Sequence, residues 1–131
     1  MALRRHQELL AGDVAYARGR RAGRVAKKRL AEARRLSEDE DPRPFYAEVA
    51  RALRGLATDR LNLSEAGTQT TDLTEALSSG GVSAGVVEEV RACLDHSDRQ
   101  RFAPPSSDRS ERDGFLERVG AVMSALDKEL R

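Results

Sequence analysis

One stretch limits the architectures open to this chain more than any other: Pro42 to Leu63, PRPFYAEVARALRGLATDRLNL, whose apolar residues recur with a helical period. With successive residues about 100° apart, Phe45, Tyr46, Val49, Leu53, Leu56 and Ala57 share one face, while Ala47, Glu48, Arg51, Arg54, Thr58 and Asp59 share the other. The stretch reads as one helix, and its apolar face has to be covered by other elements. The cover is aliphatic, because aromatics make up only 4% of the chain and Trp is absent. Leu, Val and Ala pack most naturally helix on helix. At 131 residues, the expectation is an all-α, compact bundle of four to five helices with a long basic N-terminal helix.

Residues 1–11 look like a helical end broken at Gly12, and Asp13 is placed to cap a second run to about Leu36. In that run Ala22, Val25, Ala26, Leu30, Ala33 and Leu36 make a narrow stripe of small residues. Arg20, Arg24, Lys27, Lys28, Arg34 and Arg35 fill the opposite side. Gly19 and Gly23 each weaken this helix by roughly 1 kcal/mol relative to Ala. The acidic break SEDEDPRP ends it, and Pro42 and Pro44 suit the start of the next helix.

Beyond Leu63 the composition of SEAGTQTT is that of a loop. Thr71 or Asp72 can cap a short helix, with Asp72 and Glu75 at capping-box spacing and Gly80 and Gly81 as its stop. Ser83 reads as the next N-cap, flanked by Val82 and Val87 as a hydrophobic staple. That helix turns Val86, Val87, Val90, Cys93 and Leu94 inward and cannot pass Pro104 and Pro105. The last helix takes Asp108 with Glu111, or Ser110 with Asp113, as its cap and recurs at Phe115, Leu116, Val119, Val122, Met123, Leu126 and Leu130. Leu53, Leu56, Val90, Leu94, Val119, Val122 and Leu126 are the centres of three apolar stripes and should meet in one core.

Net charge is +1 but unevenly spread. Residues 1–35 hold 11 Lys and Arg against 3 acidic residues, a balance of +8; the remainder carries 12 against 19, a balance of −7. Such asymmetry points to an anionic partner for the first helix, or to docking on the chain's own acidic body. Without a run of about 18 apolar residues, nothing here reads as a membrane span, and the start lacks the apolar core of a signal peptide. The piece is expected to be soluble.

Little in the sequence carries recognisable chemistry. Cys93 and His96 are three apart on a helix, but the only other His is His6 and there is no second Cys, short of a zinc site's usual four ligands. An inert Cys and a solvated His are expected instead. His96, Ser97 and Asp98 are sequence neighbours, whereas a catalytic triad needs convergence in space. Ser78 to Val82 reads as a turn without the elements of a phosphate loop, and Glu38 to Asp41 as a solvated linker. No catalytic residue, cofactor or metal is expected. Arg60 is the one charge inside the apolar face of the central helix. It is expected either to run past its neighbours to terminal carbonyls or a carboxylate, or to bind a partner.

The order FYAEVARALRGLATDRLNL, TQTTDLTEAL, GGVSAGVVEEV, CLDHSDRQRFAP and a final amphipathic helix resembles the C-terminal region of the BatD aerotolerance (oxygen-tolerance) family. Phe45 and Tyr46, Ala52-Leu53, Asp59-Arg60-Leu61, Leu73, Leu77, Gly81-Val82 and Arg101-Phe102-Ala103-Pro104 carry the likeness. Gly55-Leu56 departs from it where an aromatic is usual, and Ser97 where a small residue or Cys is common.

The resemblance implies a large envelope protein with periplasmic β-sandwich domains and one spanning helix, followed by this helical piece on the cytoplasmic side of the inner membrane. Residues 1–12 are then a juxtamembrane segment, 13–131 a single helical domain, and Met1 the start of an excised piece. Basic residues beside a spanning helix fit that orientation. The implied function is a non-enzymatic interaction domain, docking a MoxR-type AAA+ ATPase or a companion von Willebrand A-like membrane subunit. Arg20, Arg24, Lys27, Lys28, Arg35 and Arg60 are the candidate partner or membrane-surface residues. An anionic membrane surface is a second partner for the basic face. The alternative is a nucleic-acid-binding helical domain using the basic first helix, which lacks interleaved aromatics and has an acidic body that phosphate repels.

Overall fold

The computed structural model describes residues 22–102 and 107–130. Among them are five helices and no strand: α1 (residues 22–36), α2 (Arg43–Arg60), α3 (Thr70–Ser79), α4 (Ala84–Phe102) and α5 (Arg109–Glu129). Residues 1–21, on which the expected Gly12 break, Asp13 cap and juxtamembrane segment fall, lie outside the described residues, so the expected 13–36 helix is met over 22–36 alone. Among the described residues no helix is long and apolar enough to cross a membrane.

Local signals account for most boundaries. Pro42 caps α2, and Pro44 sits in its first turn, where a missing N–H costs nothing. At the other end Asn62 takes a left-handed conformation (φ 57), so that Leu63 N–H reaches Thr58 O at 2.8 Å and Asn62 N–H reaches Asp59 O at 3.3 Å. This is a Schellman closure, and it is why the expected stretch to Leu63 yields helix only to Arg60. Gly81 (φ 92) closes α3 the same way, with Val82 N–H on Leu77 O at 3.0 Å. The Asp108 carboxylate accepts from Glu111 N–H at 2.8 Å, as the capping pair predicts for α5.

The start of α3 differs from expectation. Its N-cap is Gln69, with no side-chain cap, rather than Thr71 or Asp72. The Arg54 guanidinium explains the shift, since it donates to Thr68 O at 2.9 Å and to Thr70 Oγ1 at 2.8 Å. A side chain from α2 therefore holds the entry to α3, and tertiary structure overrides the local capping pattern.

The contacts give the directions of the helices. Tyr46 at the start of α2 lies against Phe115 near the start of α5, and Arg60 at the end of α2 pairs with Asp127 near the end of α5. α2 and α5 thus run parallel. α4 runs against α5, because His96 meets Phe115 while Ser83, just before α4, donates its N–H to Glu129 Oε1 at 3.0 Å. α1 runs against both α2 and α5: Arg29 reaches Arg51 O at 3.2 Å, and Ser37, one residue past α1, accepts from Arg112. The result is an up-down-up-down four-helix bundle with α3 set in the α2–α4 connection, packed on both.

The seven residues expected to form the core all belong to one contiguous cluster. One expectation about α2 fails. Thr58, assigned to the outer face, is fully buried, and its hydroxyl donates to Arg54 O at 2.9 Å. Ala50, Ala52 and Gly55 are buried as well. α2 is covered from several sides, and a wheel drawn for one covered face places Thr58 wrongly.

Candidate functional site

α1 joins the bundle through Ala22, Ala26 and Ala33, with Leu30 and Leu36 half-buried against the core. Short side chains on that stripe let the helix axis come close, which leaves its long basic side chains pointing away. Arg24, Lys27, Lys28, Arg34 and Arg35 are all exposed. At helical spacing they sweep about 120° of the outer surface. The single acidic residue of α1, Glu32, is taken by Arg35, whose Nε donates to its carboxylate at 3.0 Å. That hydrogen bond holds the Glu32 carboxyl below the usual carboxylate range. Arg24, Lys27, Lys28 and Arg34 form no ion pair with another described residue.

The structure brings Arg24, Lys27, Lys28 and Arg35 onto one face and sets Arg60 apart from them. Arg20 lies outside the described residues. The Arg60 side chain is 17% exposed, its guanidinium paired with Asp127. A Cβ added at Gly23 would lie 3.9 Å from its Nη2. Arg60 thus ties the ends of α2 and α5 together beside α1.

Besides Arg54, two more basic residues have structural roles that the sequence pattern does not reveal. Arg112 is 6% exposed; its Nε donates to Ser37 O at 3.0 Å and its Nη1 to Ser107 O at 3.2 Å. A guanidinium there satisfies a carbonyl just beyond the C-terminus of α1, where cations are favoured. The available signal is periodicity, because Arg112 stands three and four residues before Phe115 and Leu116. Arg29 lies across the backbone of Gly55, so close that a Cβ there would stand 2.0 Å from its Nη1. The signal here is a glycine set among apolar residues in mid-helix.

The Cys93 to Asp98 segment serves packing. Cys93 is fully buried, and burial pushes its thiol up to about 11, which makes the thiolate inaccessible at neutral pH. His96 is half-buried rather than fully solvated: its ring lies 4.7 Å from that of Phe115 and 5.7 Å from that of Tyr46. It is drawn in because α4 crosses the aromatic start of α2. Burial lowers its pKa, helped by the nearby Arg99 and Arg118 charges. Ser97 points into the core and donates to Cys93 O at 2.9 Å, so it does not converge with His96.

The acidic counterpart of α1 is α3, which carries Asp72 and Glu75 exposed and no basic residue. Between α3 and α4 runs an open depression of about 450 Å³ lined by Thr74, Glu75, Ser78, Ser79 and Val87. Among the described residues no group of His, Cys, Asp and Glu has a metal-binding arrangement.

Comparison with known proteins finds no match to this chain among protein-family models, curated proteins or solved structures.

Proposed function

We propose that the chain is a non-catalytic helical interaction domain. In this reading it is the cytoplasmic docking module of a membrane-anchored, BatD-like aerotolerance accessory protein. Its client is a MoxR-type AAA+ ATPase or a companion von Willebrand A-like membrane subunit. The family assignment rests on the residues quoted for the resemblance. The observation that carries the docking role is the division of the surface by charge. A continuous basic arc lies on α1, while α3 presents Asp72 and Glu75 without a basic residue. A surface divided in this way orients a domain between two unlike neighbours and steers their encounter.

On this reading the protein client meets the α3 side. The test is capture of the full-length protein in mild detergent, followed by identification of what is retained. Co-purification of the ATPase or the von Willebrand A-like subunit is expected, and Asp72→Lys with Glu75→Lys should sharply reduce it. Retention of neither protein overturns the reading.

A further inference from the structure

The outer face of α1 differs in kind from a protein-docking surface. Arg24, Lys27, Lys28, Arg34 and Arg35 are exposed with Ala31 among them, and no aromatic or large aliphatic residue lies in the arc. Protein interfaces draw their affinity from buried aromatic and arginine anchors in pockets, and they are depleted of lysine. Double-stranded nucleic acid fits less well: arginine and lysine can reach guanine edges, but the arc offers no Asn, Gln, Ser or Thr for the other bases, and residues 36–131 carry a net negative charge that phosphate repels. The described residues of α1, 22–36, span roughly 22 Å at 1.5 Å per residue, and their charges project from successive turns. A row of exposed cations along one helix matches a flat anionic surface whose own charges can rearrange laterally to meet it.

The other side of α1 decides how such a surface is met. Ala22, Ala26 and Ala33 are buried against the bundle, with Leu30 and Leu36 packed beside them. The helix has no apolar side left to enter hydrocarbon, unlike an interfacial amphipathic helix.

We infer that the outer face of α1 is a docking surface for the anionic lipid headgroups of a membrane, held by charge alone and without insertion. The inference shares the α1 arc with the docking reading, and the two tests separate them, because client capture is read at α3 and flotation at α1. Binding of this kind weakens steeply with salt, because exposed charges are screened over about 8 Å at physiological ionic strength.

The test is flotation of the full 131-residue chain with phosphatidylcholine vesicles, with and without phosphatidylglycerol, at low and physiological salt. The chain should float only with phosphatidylglycerol, and more strongly at low salt. The combined Arg24→Glu, Lys27→Glu and Lys28→Glu variant should lose affinity by well over a hundredfold, because loss of the three positive charges alone accounts for about that much. The corresponding triple Gln variant, with helix content checked by circular dichroism, should show a smaller loss and guards against misfolding of the reversed one. No flotation at either salt overturns the inference. So does flotation of the Gln variant equal to that of the parent, or tighter binding of mixed-sequence DNA than of the anionic vesicles at the same salt.

Discussion

α1 and α2 pack antiparallel in the same bundle and are held in it by different forces. α2 buries Phe45, Tyr46, Val49, Leu53 and Leu56 and is covered from several directions. α1 contributes three alanines to the core, and its hold includes polar ties: Arg29 on Arg51 O, Arg112 on Ser37 O, and Glu38 with Arg109. One helix is fixed by apolar area, which scales with side-chain size. The other is fixed by a close fit of small residues together with hydrogen bonds. A helix attached in the second way can give its outer face entirely to charge, which α2 could not do without exposing the core.

The largest test of this contrast is Leu53→Ala. Leu53 is 1% exposed at the centre of α2. Its truncation should cost on the order of 2–5 kcal/mol in urea denaturation. A loss below about 1 kcal/mol would show that α2 is not the axis of the core. Next in size is Arg112→Met, which keeps apolar bulk but removes both donors from Ser37 O and Ser107 O. The expected cost is about 1–3 kcal/mol. Amide exchange should show α1 losing protection before α2. Equal loss in both helices would mean that α1 does not depend on its polar ties.

The two helices were also unequally legible. The α2 stripe could be read because large apolar residues mark a buried face, and its seven-residue core set was recovered across three helices. Thr58 was misplaced because a periodicity assumes one covered side, whereas tertiary packing covers several. The start of α3 was misread because Arg54, sixteen residues before Thr70, supplies what a local cap otherwise would. Of the candidate surface, the basic arc of α1 was visible in the spacing. Arg29 and Arg112 were not, since a wheel shows where a long side chain begins and not which carbonyl it reaches.

A smaller effect sharpens the α1–α2 seam. Gly55→Ala places a Cβ against the Arg29 guanidinium, the far end of a flexible side chain that can swing aside at the cost of its bond to Arg51 O. Against that loss stands a gain in helix propensity of up to about 1 kcal/mol. The single substitution should therefore be close to neutral. In an Arg29→Ala background the clash is gone, and the same change should stabilise by up to about 1 kcal/mol. A double-mutant cycle measures the difference, and additivity of the two changes would mean that Arg29 does not rest on Gly55.

The smallest expected effect is a slope with pH, and it arises on the α2 side of the comparison. His96 lies against Tyr46 and Phe115, and its charged form is disfavoured first by burial and then by Arg99 and Arg118, with Glu111 opposing them. Its pKa in the folded protein is therefore below the ordinary value of about 6.5. Below that pH the unfolded chain binds a proton that the folded chain resists, so stability is full above about 6.5 and declines as pH falls toward the folded pKa. Carboxylates such as Glu89, lowered by the Arg118 hydrogen bond, lose their contribution only at lower pH, below their own ordinary range. Urea midpoints from about pH 8 to about pH 5 should fall in the parent protein and stay flatter in His96→Phe. His6 is common to both proteins and cancels in the comparison. Equal slopes would place His96 in solvent and detach it from the aromatic end of α2.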